Sequence, residues 1–512
     1  MTISINALSS MRALMSGVLW NGLGRVLPIA VAMVATPFLL HRLGVDRWAL
    51  FTLALSIAGS FGILDFGVSG ALTRALAERI GTPEEDDAAP LVVAALFMLT
   101  LTGCSGAIVG FVLTPMVVDH LLTVPPHLRS EAIGAFRLLA VSAPLIVINS
   151  AFWGALAAYQ KWRAMTLLNI PVSVMYYLGP VLVLLIQNNL VWIIGTLVAA
   201  RIVQGLIYGA LAIRLLPDLI KRRRIELRLL RPLLRIGAWV TVTNTLWPVM
   251  VFLDRFIVGG VLSLAAVSYF STPVDLVSRL GIATGAVAAA VFPAIATSHR
   301  TSPDRVHRLL RTGSLAVIAV ILPACLLMAG LASELLTGWL GASFAANSAQ
   351  VLSILAIGSF LYSVAVLPGT LTDAIGRPEA GAAIMLSATM LFIPTVMLMC
   401  ERYGVTGAAL AWTLRSLLYF VARLLACGKL SASVAPVISK LFAISLVGSV
   451  GLTACMLIAP LPARMAIIGL TYIAVMLMAI MLLLKKEERI QLWEAVQRFF
   501  SGPAVARAVR RT

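Results

Sequence analysis

The sequence predicts an all-α polytopic membrane protein. It should have about 14 transmembrane helices: two six-helix lobes in a parallel pseudo-repeat, then two additional helices. Three observations lead there. Of the 512 residues, 60% are hydrophobic and only 12% charged, and the mean hydropathy is +1.00; one soluble core could not cover that much apolar surface. The apolar residues come in long unbroken runs, near the roughly 20 positions that cross a bilayer at about 1.5 Å per residue, whereas a β-barrel would alternate over about ten. Weak internal matches also recur at a shared offset.

Runs bounded by charge or turn residues place the spans near 17–40, 47–71, 89–118, 131–158, 164–187, 190–215, 233–258, 262–296, 312–336, 346–373, 379–401, 404–428, 434–459 and 462–484. The first two form a hairpin around the polar corner His41-Arg42-Leu43-Gly44-Val45-Asp46-Arg47, and they carry Arg25 and Asp65 at similar depths. Residues 1–16 read as an interfacial lead-in helix rather than a cleaved signal. Prolines such as Pro28, Pro37, Pro171 and Pro368 recur inside spans, as is common in membrane helices.

The internal matches set the domains. At an offset of about 215, Trp153-Gly154-Ala155-Leu156-Ala157-Ala158-Tyr159 faces Pro368-Gly369-Thr370-Leu371-Thr372-Asp373-Ala374, and Arg201 of span six faces Arg415 of span twelve. Near the lobe starts, Leu43-Gly44 through Ala49-Leu50-Phe51 resembles Val258-Gly259 through Ser268-Tyr269-Phe270, the offset drifting to 219. Six spans per repeat put both lobes in the same orientation. The expected division is 1–216 and 233–430 for the lobes, with a basic cytoplasmic linker at 217–232. Two more helices at 431–485 and a basic cytoplasmic tail at 486–512 complete it.

Basic residues then orient the chain. Lys161/Arg163, Lys221-Arg222-Arg223-Arg224, Arg300/Arg305/Arg308/Arg311, Lys429/Lys440 and Lys485-Lys486 fall on one side, while Gln187-Asn188-Asn189, Gly259-Gly260 and 341–350 are nearly bare. Both termini are expected in the cytoplasm. The net charge of +18 is explained by these juxtamembrane loops, so no nucleic-acid partner follows; membrane lipids are the implied contact. The cysteines Cys104, Cys325, Cys400, Cys427 and Cys455 are scattered through apolar spans without metal-ligand spacing. No GxxxxGK[ST] or HExxH motif is present, and no loop is long enough for a soluble catalytic domain, so an enzyme is not expected.

Leu50-Phe51-Thr52-Leu53 followed by Leu64-Asp65-Phe66-Gly67-Val68-Ser69-Gly70-Ala71-Leu72-Thr73-Arg74 resembles the second-helix signature of Wzx-type bacterial polysaccharide flippases. These transport O-antigen and other lipid-linked oligosaccharides, in a superfamily that also holds MATE exporters and lipid II flippases. The resemblance covers most of the chain through its twelve-plus-two plan. It implies two lobes around a central cavity, and an undecaprenyl-pyrophosphate oligosaccharide carried between leaflets by alternating access. It also implies coupling to a proton or cation gradient, no other cofactor, and a polysaccharide polymerase or glycosyltransferases as neighbours in the pathway. The chain departs from the lipid II flippases in span one, where Arg25 is followed by Val26 rather than by an acidic residue. Two other readings stand beside this one: an ion-coupled multidrug exporter of the MATE type, and a non-transporting membrane scaffold for polysaccharide synthesis.

Charges inside the membrane name the candidate site, because each costs about 2.5–3.5 kcal/mol at a helix centre on insertion scales. Arg201 and Arg415, equivalent in the repeat, either grip the pyrophosphate with their planar forks or bond the carbonyls of a broken helix. Arg25 and Asp65 form a structural ion pair or one that substrate phosphate breaks. Asp275 and Arg279, four apart on span eight, either neutralise each other or line the cavity. Of Asp254-Arg255, only one should face the cavity, with Arg255 the phosphate candidate. Asp373 is an interfacial carboxylate or a coupling site.

Overall fold

The computed structural model describes residues 3–83, 87–221, 251–299, 301–375, 378–430, 434–458 and 460–490. Every regular element among them is helical, and eleven helical stretches are long and apolar enough to cross a membrane. The protein is an all-α polytopic membrane protein. Two of those stretches, Leu27–Asp65 and Glu379–Lys429, are each interrupted by a glycine and so hold two spans. The span expected at 233–258 lies mostly outside the described residues.

Helix α1 (Ile3–Ser60) contains the expected hairpin, but its polar corner is far tighter than the sequence suggests. Helix continues on both sides, and only Gly44, at φ 75° and ψ 169°, leaves the helical region. That left-handed φ is open to glycine without a Cβ penalty. A bidentate pair fixes the corner: the Arg47 guanidinium donates to Glu131 at 3.0 and 3.1 Å, and Asn188 Nδ2 donates to the Arg42 carbonyl at 2.9 Å.

The second span does not run on to residue 71. It ends at Ser60, tightens into a 3₁₀ turn over Phe61–Asp65, passes through Phe66 and Gly67 at φ 47° and 69°, and restarts as α2 (Val68–Arg79). Two consecutive left-handed residues cannot continue an α-helix. Span four divides in the same way into α4 (Arg129–Val141) and α5 (Ala143–Ala158) around Ser142, because Pro144 has no N–H to extend the ladder.

The remaining helices of this part are α3 (Ala88–Met116), α6 (Trp162–Leu184), α7 (Leu190–Leu215), α8 (Asp218–Lys221) and α9 (251–261). Beyond them come α10 (Leu264–Ser278), α11 (Leu280–Ser298), α12 (Pro303–Gly330), α13 (Ala332–Leu340), α14 (Ala342–Ala374), α15 (Pro378–Leu430), α16 (Ala435–Leu457) and α17 (Leu461–Leu483). In α15, Gly404 (φ 61°, ψ −140°) makes the break expected between spans eleven and twelve.

The chain forms two compact units, Met1–Ser271 and Thr272–Thr512. The first has a core of Leu72, Leu76, Leu91, Val92 and Leu99 closed by Val147 and Ala151. Its helices approach closely where side chains are small: a Cβ on Gly154 would lie 2.8 Å from the Ser69 carbonyl, and Thr73 Oγ1 donates to the Gly154 carbonyl at 3.0 Å. Such contacts replace the hydrophobic drive that lipid removes. The second unit packs Leu310, Ile321, Leu326, Phe360, Phe420 and Leu441 from α12, α14, α15 and α16 into one cluster. The linker expected at 217–232 and the tail at 486–512 fall largely outside the described residues.

Candidate functional site

In the first unit, α7 carries Arg201 half-buried among polar partners. Its Nε donates to Tyr176 Oη, its Nη1 donates to Gln204 Oε1 at 2.9 Å, and its guanidinium carbon sits 5.2 Å from the Tyr176 ring centroid. Gln204 passes the network on, its Nε2 donating to Asn169 Oδ1 at 3.2 Å. Asn149 Nδ2 donates to the Arg201 carbonyl at 3.1 Å, so α5, α6 and α7 all hold this position. Hydrogen bonds to a charged group contribute about 1.5–3 kcal/mol each and the aromatic face about 0.5–2, together enough to offset the insertion cost. Among the described residues Nη2 has no hydrogen-bond partner, which leaves two N–H donors for an anion.

The second unit repeats the theme with different chemistry. Arg415, 8% exposed, lies over the Phe392 ring at 4.2 Å and near Trp412 at 5.7 Å. In both units an arginine of the later helix rests on an aromatic ring of the helix before it, α7 on α6 and the two halves of α15. Two turns beyond Arg415 stands Arg423, which the sequence reading missed. Its Nε donates to Tyr419 Oη at 3.1 Å, and its Nη1 donates to Thr372 Oγ1 at 3.0 Å and Asp373 Oδ1 at 3.3 Å. It fills a slot that only glycine leaves open: a Cβ on Gly381 would stand 2.7 Å from its Nη2. Tyr362 stacks on Tyr419 at 5.1 Å between the two arginines. The missed signal was the spacing Arg415, Tyr419, Arg423, which puts all three along one helix face.

Asp373 is therefore an ion-pair partner on the last turn of α14, its carboxylate 39% exposed. Asp65 is 5% exposed and acts as a cap: Oδ1 accepts from Ser69 N at 3.2 Å and from Ser150 Oγ at 2.8 Å, and Oδ2 accepts from Ser69 Oγ at 2.7 Å. An anion there suits the positive N-terminus of α2. The side chain of Arg25, its expected companion, lies outside the described residues.

Arg255 is 3% exposed, not at a wet surface; its Nη1 donates to Ser56 Oγ at 3.1 Å while the neighbouring Asp254 Oδ1 accepts from the Arg255 backbone N–H at 2.8 Å. Asp275 and Arg279 do not share a continuous helix. α10 ends at Ser278, the Arg279 N–H bonds the Leu276 carbonyl in a tighter turn, and the Arg279 side chain is exposed.

One contact bears on the repeat itself. Ser271 Oγ donates to Thr52 Oγ1 at 3.3 Å, and these residues are 219 apart, the offset at which Phe51 matches Phe270. Ser268 Oγ donates to the Val45 carbonyl at 2.6 Å beside it.

The family model described as "Polysaccharide biosynthesis protein" matches residues 14–299, more than half of the chain. The chain belongs to this family. It is similar to a Shigella flexneri protein named as an O-antigen transporter, 27% identical over 406 residues that cover 78% of this chain and 94% of that relative. Its fold matches the lipid II flippase MurJ in an inward closed conformation with a TM-score of 0.69, covering 90% of this chain and 98% of that one at 13% identity. An inward-facing MATE multidrug resistance transporter of the MOP superfamily matches with a TM-score of 0.67, over 82% of this chain and 99% of that one at 14% identity. Within the polysaccharide biosynthesis family, the matched segment contains Asp65, Arg201, Arg255, Asp275 and Arg279, and the Arg415–Arg423 cluster lies beyond it.

Proposed function

We propose that this member of the polysaccharide biosynthesis family is a flippase. It moves undecaprenyl-pyrophosphate-linked oligosaccharide from the cytoplasmic to the periplasmic leaflet of a bacterial inner membrane by alternating access. The observation that carries the reading is the pair of repeat-equivalent arginines, Arg201 and Arg415, each seated on an aromatic ring of the preceding helix. Pyrophosphate carries most of the substrate's charge and presents oxygens in the plane a guanidinium fork addresses. The ring beneath each arginine holds its position without neutralising it, as a carboxylate would. The family match and the similarity to an O-antigen transporter support the substrate class.

Transport uphill draws on a proton or cation gradient. Asp373, the pyrophosphate-side arginines and the terminus orientation enter as parts of this proposal, with both termini cytoplasmic and a polymerase or glycosyltransferases supplying and consuming the substrate. The multidrug-exporter reading has the MATE-like fold in its favour. It would want an acidic site for cationic drugs, whereas the intramembrane charges here are predominantly guanidinium.

The deciding experiment is export of lipid-linked oligosaccharide in cells whose only copy is Arg201→Glu with Arg415→Glu. Export should fall to the level of the deletion strain, with membrane-inserted protein at wild-type abundance and lipid-linked intermediate accumulating on the cytoplasmic side. Wild-type export in the double variant would rule the pyrophosphate grip out.

A further inference from the structure

Three helical segments of the first unit are weak at one shared level. Span two breaks at Phe66 and Gly67, whose φ values of 47° and 69° separate it from α2. Span four breaks at Ser142, just before Pro144. Helix α3 runs unbroken past both, and it meets them with Gly103-Cys104-Ser105-Gly106. A Cβ on Gly103 would stand 2.6 Å from Pro144 Cα, and one on Gly106 would overlap the Leu64 side chain. This part of α3 is itself easy to bend. Each glycine costs about 1 kcal/mol against alanine, and Ser105 Oγ donates to the Thr102 carbonyl at 2.8 Å, competing for the helix's own acceptors.

Packing changes across this level. The buried cluster around Leu72 and Leu76 of α2 takes Leu91 and Leu99 from α3 and Val147 and Ala151 from α5. All of its buried members fall after Gly67, before Gly103 or after Ser142, within those three segments. Polar ties hold the same segments together. Asp65 Oδ1 accepts from both Ser69 N and Ser150 Oγ, and Thr73 Oγ1 donates to the Gly154 carbonyl at 3.0 Å. Beyond the level the packing is open: Ile57, Phe61, Gly110, Leu113, Phe136 and Ala140 line an apolar cavity of about 320 Å³. Phe61 touches both sides, packing on the cluster and lining the cavity.

We propose that α2, residues 88–99 of α3, and α5 are one rigid body that turns inside the first unit. The hinge line passes through Phe66-Gly67, Gly103-Gly106 and Ser142. A close-packed cluster resists internal deformation and moves as a whole, while a few residues at element ends absorb the change in φ and ψ. The cavity gives Phe61 room to follow. Asn149, next to Ser150 on α5, donates to the Arg201 carbonyl at 3.1 Å, so the turn is passed to the helix that carries Arg201. That consequence rests on the transport reading: the first lobe then works as two bodies during the cycle, and the hinge moves its candidate phosphate group.

The test is double electron–electron resonance on the full-length protein in lipid nanodiscs, with Cys104, Cys325, Cys400, Cys427 and Cys455 replaced by Ala or Ser and nitroxides placed in pairs at exposed positions. Glu78 on α2 with Ser130 on α4 spans the hinge, Glu78 with Phe97 lies within the body, and Ser130 with Val34 lies outside it. The Glu78/Ser130 pair should show two distances, or one that shifts by several ångströms when undecaprenyl pyrophosphate is added. The other two pairs should each keep a single distance. Leu113→Trp, which fills the cavity from outside the body, should leave the Glu78/Ser130 pair with one distance under both conditions; if that variant is not monodisperse, Leu113→Phe takes its place. A single Glu78/Ser130 distance in the unsubstituted cavity, the same with and without undecaprenyl pyrophosphate, overturns the hinge. A Glu78/Phe97 distance that changes as much as the Glu78/Ser130 distance overturns the rigid body. The readout is distance rather than export, so normal export by the Arg201/Arg415 double variant would leave the hinge standing, and a fixed distance would leave the pyrophosphate grip standing.

Discussion

A guanidinium inside a membrane is tolerable only when its surroundings are prepared, and three arginines here are prepared differently. Arg201 has hydrogen-bonding neighbours and spare donors, Arg415 has aromatic faces, and Arg423 has a carboxylate in a slot walled by glycine. Removing one partner of a desolvated pair leaves the other charge orphaned, at about 3–5 kcal/mol when fully buried. Asp373 is partly exposed, so the expected cost of Asp373→Asn is discounted to about 1–2 kcal/mol for screening. Adding Arg423→Gln to that variant should recover part of the loss, and thermal unfolding of the purified protein through the four-member cycle reads the coupling directly. Additive losses would mean that Asp373 and Arg423 do not stabilise each other. Arg201 and Arg415 were legible in the sequence because an isolated charge in an apolar run is conspicuous. Arg423 was not, because it sits close enough to Lys429 and the helix end to read as interfacial.

At the scale of elements, the Leu64-Asp65-Phe66-Gly67 stretch is a helix break rather than the inside of a span. The sequence displays its composition without its geometry. Asp in an apolar run reads as a buried charge, and only coordinates show its carboxylate capping α2 through Ser69 and gripping Ser150 of α5. Replacing Asp65 with Ala should cost about 0.5–2 kcal/mol, the usual range for a lost N-terminal cap. Gly67→Ala should cost about 1 kcal/mol more than an ordinary surface change, because φ is 69° there. Asp65→Asn keeps an acceptor and should lose less than Asp65→Ala. Equal melting temperatures for all three variants and wild type would contradict the capping role. The breaks at Gly44 and Gly404 were easier to place, since a glycine beside charged residues between two apolar runs is a turn signal in its own right.

At the scale of the molecule, the Thr52–Ser271 hydrogen bond joins α1 to α10 within the first unit. Cysteines introduced at Thr52 and Ser271, in a background with Cys104, Cys325, Cys400, Cys427 and Cys455 replaced by Ser or Ala, should cross-link under mild oxidation. If alternating access requires those positions to part, the oxidised protein should lose export and recover it with reductant. Full export by quantitatively cross-linked protein would show that the seam stays closed through the cycle.

Composition and run length by themselves determined the class: helical and membrane-spanning. Each follows from the cost of exposing polar backbone or charge to hydrocarbon, a cost that every helix meets independently of its neighbours. Only the tertiary structure decided which charges are partnered. It sent Arg255 to Ser56, Asp373 to Arg423 and Asp65 to the start of the following helix, and it ended α10 before Arg279. Pairing depends on the rotation and register of packed helices, and in apolar sequence many rotations satisfy the same pattern of hydrophobic residues. Close approach at Gly154 and Gly381 selects among them, and that selection exists only once the helices are in contact.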